Sequence, residues 1–85
     1  MTRYFFDVVE DDVFHRDSEG TELSDADAAR LEATQALAEL ALSAIPGSTS
    51  KHLQMTVRRR GGVELFSLDL LFRHIGPTAT GARRP

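Results

Sequence analysis

Arg58-Arg59-Arg60, three guanidinium groups directly before a Gly-Gly pair, are the densest concentration of chemistry in this 85-residue chain. A basic hairpin tip beside aromatic side chains can hold single-stranded nucleic acid, neutralising phosphates and stacking bases. Side chains alternate in face along a strand, so Arg58 and Arg60 point one way and Arg59 the other. They do not form one plane, and the acids of residues 17–27 fall at the same end of the expected topology. The favoured reading is therefore intramolecular pairing with Asp17, Glu19 or Asp25. Nucleic-acid binding through Arg58, Arg59, Arg60 and the basic tail is the alternative.

The remaining candidates are weaker. A metal site needs three or four converging donors, but His15, His52 and His74 lie on three separate segments, without i, i+4 spacing and without cysteine. His15 with Asp17 and Asp12 is the best available set, and solvated edge histidines are the simpler reading. Glu10-Asp11-Asp12 lacks the fixed oxygen-ligand spacing and central glycine of a calcium loop, and reads as a hairpin turn. No serine sits in a nucleophile elbow. Asp69 stands among Leu68, Leu70 and Leu71, and reads as the outward residue of an alternating strand. No catalytic group, cofactor or metal is expected, so the chain is read as a non-catalytic binding domain.

Charge is segregated. Residues 7–32 hold ten acids against Arg16 and Arg30; residues 51–62 hold Lys51 and the three arginines and no acid; Arg73, Arg83 and Arg84 follow in the tail. Such a pattern serves self-pairing or partner recognition. The absence of cysteine excludes disulfides, zinc ribbons and thiol chemistry and fits a reducing, cytoplasmic setting. The N-terminus turns acidic too early for a signal peptide. Glu32, Gln35 and Glu39 interrupt the most apolar stretch, so no membrane span is expected.

The elements that must position these groups follow a ββαββ plan. Residues 3–9, RYFFDVV, are aromatic and β-branched, with Tyr4, Phe6 and Val8 on one face and Phe5 and Val9 on the other. Both faces are apolar, as suits a central strand. Residues 13–16 make a short second strand and 17–20 a loop. A helix runs from Ser24, a capping residue type, to Ile45, stopped by Pro46-Gly47. At about 100° per residue, Ala26, Ala29, Ala33, Ala36, Leu37, Leu40 and Ala44 share one face. Leu31, Thr34, Ala38, Leu42 and Ile45 form a second apolar stripe. Residues 52–59 and 63–72 alternate as a hairpin around Gly61-Gly62. An antiparallel four-stranded sheet of order 2-1-3-4, with the helix on one face, satisfies every strand direction. Residues 1–73 are expected to form this single α+β domain, and 74–85 a disordered basic tail.

The second helix stripe is more apolar surface than one small sheet needs. Leu31, Ala38, Leu42 and Ile45, with Phe5 and Val9 on the uncovered sheet face, are expected to be buried by a second subunit. A homodimer is the expected assembly, with a further protein partner open.

Three segments also resemble a family of short, uncharacterised bacterial proteins. They are Arg3-Tyr4-Phe5-Phe6-Asp7, then Arg16-Asp17-Ser18-Glu19-Gly20-Thr21-Glu22-Leu23, then the alanine-rich run from Asp25 through Ala41. That resemblance implies the ββαββ plan and no particular activity. The plan is also similar to HicB-type antitoxin domains, in which a hairpin leads through a glycine-containing loop into one alanine-rich helix. This second likeness implies a regulatory role on a protein partner.

Overall fold

The computed structural model describes residues 1–76. They form β1 (Thr2–Glu10), β2 (Val13–His15), β3 (Thr21–Leu23), α1 (Ala26–Ala44), β4 (Ser50–Arg59) and β5 (Val63–Arg73). The class is α+β. Every strand pairing is antiparallel, with the order β2-β1-β4-β5 and β3 also beside β1.

The sheet has five strands where four were expected. Thr21-Glu22-Leu23 reads in sequence as the lead-in to the helix, but it pairs with Thr2–Tyr4. Three residues are too few to show alternation; the free edge of β1 makes them a strand. β2 and β3 are two pieces of one edge, pairing with opposite ends of β1. Tyr4 lies opposite Thr21 and Val8 opposite His15, so residues 5–7 of β1 face the five residues 16–20. Two extra residues bulge out of the edge there, and the polar cluster described below forms around them.

Inward side chains run in rows across the sheet. Phe6, Val57 and Phe66 make one row, Val8, Met55 and Leu68 the next, and Leu53 with Leu70 a third. Tyr4, Leu53, Met55 and Val57 are buried, together with Ala29, Ala33, Leu37 and Ala41 of α1, in one core cluster. Three alanines among the four buried helix residues let the helix backbone approach the strands closely. Leu53 and Val57 are fully buried, each contributing about 1.5–3 kcal/mol of transfer free energy. Ala26, expected on the buried face, is exposed, and Ala41 is buried in the last turns instead.

The helix begins later than its composition suggests. Asp25, not Ser24, is the cap: it is extended and its Oδ1 accepts from the Ala28 amide at 2.9 Å. At the other end Ile45 is the C-cap and donates its amide to the Ala41 carbonyl. The β4–β5 turn is the expected one, with Gly61 and Gly62 both at positive φ. Of the expected disordered tail, residues 77–85 lie outside the described residues, whereas His74 donates its amide to the Thr49 carbonyl at 2.8 Å.

Candidate functional site

The bulge between β2 and β3 holds the densest polar network. The Phe6 amide lies opposite the insertion, and it donates to Asp17 Oδ2 at 3.0 Å. The other oxygen, Oδ1, accepts from the amides of Glu19 and Gly20 at 3.1 and 3.0 Å. One carboxylate thus replaces a stretch of strand backbone. Asp7, on the opposite sheet face from Phe6 and almost fully buried, accepts from the Asp17 amide at 2.9 Å. Arg58 completes the cluster. Its Nε donates to Asp7 Oδ2 at 2.7 Å, and Nη2 to Asp7 Oδ1 at 3.3 Å and the Asp17 carbonyl at 2.9 Å. Its guanidinium carbon stands 4.5 Å from the centre of the Phe5 ring, a cation–π contact.

Arg3 and Gly20 close the loop from outside. Arg3 donates to the Glu19 carbonyl at 2.7 Å and to Glu22 Oε2 at 3.0 Å. Gly20 has φ +75°, and a Cβ there would lie 2.8 Å from Arg3 Cγ and 2.9 Å from both Phe5 Cε2 and the Tyr4 carbonyl oxygen. Conformation and space both require glycine.

The electrostatics hold all three groups of the clasp in their charged forms. Burial pushes the Asp7 carboxyl up, but the Arg58 hydrogen bond, the Asp17 amide and the Arg58 charge together hold it below the usual range. Burial also opposes Asp17, and the amides of Gly20, Phe6 and Glu19 outweigh it, again lowering the pKa. The hydrogen bond to Asp7 outweighs desolvation at Arg58 and raises its pKa. All three groups stay charged at neutral pH and have no proton to trade there.

The structure separates the three arginines. Arg58 is buried, with Nε and Nη2 committed to Asp7 and Asp17, while Arg59 and Arg60 are exposed. Of the expected acidic partners, Asp17 meets Arg58 through its carbonyl, Glu19 meets Arg3, and Asp25 caps the helix. Asp7 is the partner that sequence reasoning missed. Its signal was present: a lone carboxylate between Phe6 and Val8 on a central strand must find a cation or remain costly to bury.

The Glu10–Asp12 turn is paired as well. Asp11 adopts φ 54° and accepts from the His52 amide and from Lys51 Nζ, both at 3.1 Å, and these two contacts lower its pKa. Glu10 Oε2 lies 3.4 Å from Lys51 Nζ. Asp69 meets His52 Nε2 at 3.0 Å on the exposed sheet face. Among the described residues no group of three or more His, Cys, Asp or Glu could hold a metal ion, and no helix is long and apolar enough to cross a membrane.

The apolar candidates also divide. Leu31 is 60% and Leu42 78% exposed, and Ala38 between them is exposed too. The three share one line of α1, and Leu31 borders a shallow depression with Asp27, Arg30 and Thr34. Ile45 is half-buried and packs on the core cluster. Phe5 is half-buried between Arg58 and Gly20, and Val9 is half-buried opposite Phe14 of β2.

No curated protein and no solved structure matches this chain. A family described as Domain of unknown function (DUF6894) matches residues 3–71. The matched stretch takes in the whole clasp (Arg3, Asp7, Asp17, Gly20 and Arg58), the helix, and the sheet through most of β5. The chain belongs to the DUF6894 family.

Proposed function

We propose that this domain is a non-catalytic protein-interaction or regulatory module that works as a homodimer in the cytoplasm. The observation carrying this reading is the Leu31–Ala38–Leu42 stripe, exposed on a helix whose opposite side supplies the core. Large aliphatic side chains aligned on one helix face suit a protein surface. Asp7 and Arg58 are spent on one another, Asp17 on three backbone amides, and Asp11 on Lys51 and the His52 amide. In this reading α1 covers one sheet face, and its outer stripe docks another protein chain, as the HicB-like plan would imply.

Light scattering from micromolar concentration upward tests the assembly, and twice the 9.4 kDa chain mass is expected. A clean monomer throughout would remove the homodimer. Leu31→Ser with Leu42→Ser, checked for helix content, tests the stripe. The pair should either dissociate the dimer or abolish binding to the product of an adjoining gene. Both remaining intact would take the stripe out of the function.

Arg59 and Arg60 favour a second reading. Both are exposed beside the hairpin turn, and neither makes an ion pair among the described residues. A nucleic-acid binder would use them with the basic tail. Its complex with single-stranded RNA would weaken steeply with salt and vanish in Arg59→Gln, Arg60→Gln. A titration with no saturable, salt-sensitive signal would exclude it.

A further inference from the structure

Among the described residues, one long edge of the sheet has no covering element. Among the described residues β5 ends the strand order and pairs only with β4, with one register shift near its start, so about half of the backbone N–H and C=O groups of its 11 residues face outward. Edge strands are usually guarded by proline, lysine, short length or a covering element. β5 is long and contains neither proline nor lysine. Its mid-strand charge, Asp69, is drawn toward β4 by His52 at 3.0 Å. The inward side chains Phe66, Leu68 and Leu70 remain only half-buried, whereas their row neighbours Val57, Met55 and Leu53 on β4 are buried. The core is complete under β4 and incomplete under β5.

We infer that a second copy of this chain covers this edge, β5 pairing antiparallel with β5 across a two-fold axis. This rests on the homodimer proposed above and locates its seam. Charge selects the orientation. β5 carries Glu64 near its start and Arg73 at its end. Antiparallel pairing brings each Glu64 end to the partner's Arg73 end, whereas parallel pairing would set like charges side by side. Side-chain alternation selects the register. Directly opposite residues must share a face, so the axis passes through a residue, not between two. Centred on Asp69, two carboxylates would oppose each other. Centred on Leu68, Phe66 faces the partner's Leu70, Leu68 faces its own copy, and Ser67 rather than a second carboxylate lies opposite the partner's Asp69. The inward apolar rows then continue from one subunit to the next in a single ten-stranded sheet, which leaves the Leu31–Ala38–Leu42 stripe to dock the further protein partner.

The chain has no cysteine, so one introduced thiol reports one contact. Leu68→Cys should cross-link to a covalent dimer under mild oxidation, and Leu42→Cys should not. In the unmodified chain, the β5 amides that do not donate to β4 should exchange at least about tenfold more slowly at dimer-forming concentration than after dilution. This exchange measurement decides the matter if Leu68→Cys fails to fold. A solution dimer whose outer β5 amides exchange freely would place the seam elsewhere, overturning this inference and sparing the homodimer. A monomer at every concentration would overturn both.

Discussion

Asp17 ties three backbone amides to one carboxylate, and acid should reveal it. Its carboxylate accepts three backbone amides, and Asp7 beside it is tied to Arg58. Both pKa values lie below the ordinary 3.8. A carboxylate with a depressed folded-state pKa binds fewer protons when folded than when unfolded. Its stabilisation is therefore complete above the ordinary value and is lost as pH falls through the lower folded values. The domain should lose stability below about pH 4, followed by circular dichroism. Asp17→Asn should flatten that acid limb and lower stability at pH 7, because an amide oxygen is a weaker acceptor than a carboxylate. An unchanged acid limb would mean that other carboxylates govern it. Gly20→Ala should be costlier than the roughly 1–2 kcal/mol of a left-handed alanine alone, since its methyl also meets the Tyr4 backbone. Near-equal denaturant midpoints for Gly20→Ala and the wild type would contradict this packing.

At the scale of elements, the broken edge strand and the helix start are linked. β3 leads through Ser24 and Asp25 into α1, so pairing of Thr21–Leu23 with β1 fixes where the helix begins. Asp25 holds the cap and Asp27 adds an anion to the first turn. Asp25→Ala should cost about 0.5–2 kcal/mol, whereas Ser24→Ala should cost almost nothing. Urea midpoints of the two variants distinguish them. The reverse order would mean that the helix starts one residue earlier. The clasp acts at this scale too, since Arg58 of β4 reaches across β1 to hold the β2–β3 connection. One buried ion pair joins β1 to β4 and its two members bond the backbone of the β2–β3 connection, so Asp7→Ala would leave a buried guanidinium without its carboxylate.

The whole molecule is small, and its core is richest under β4 and thinner toward β5. A domain of this size buries a modest fraction of its chain and gains from assembly. If the homodimer is the native form, the midpoint of thermal unfolding must rise with protein concentration, because association stabilises only the folded chain. Scanning calorimetry over a hundredfold range of concentration reads this directly. A midpoint independent of concentration would indicate a monomeric unfolding unit. The charge segregation resolves at this scale as well. Four of the ten acids of residues 7–32 (Asp7, Glu10, Asp11 and Glu22) are met within the fold by Arg3, Lys51 and Arg58.

The α+β class, the long helix, the Gly61–Gly62 turn and the antiparallel sheet were legible in the sequence because each rests on local pattern. Alternation, helical periodicity and turn residues need no partner to be recognised. The second apolar stripe was legible for the same reason, and the structure leaves Leu31, Ala38 and Leu42 of it exposed. What the sequence left open were choices between distant groups. Ser24 and Asp25 are both good caps, and the path of β3 decides between them. Thr21–Leu23 is a strand only because β1 offers it an edge. Ile45 belongs to a stripe by angle but to the core by contact. Arg58 resembles its two neighbours in sequence and differs from them only because Asp7, 51 positions away, lies within 2.7 Å. Local pattern specifies which face a residue points to; tertiary structure decides what waits there, because burial makes a charge depend on its nearest partner rather than on its place in the chain.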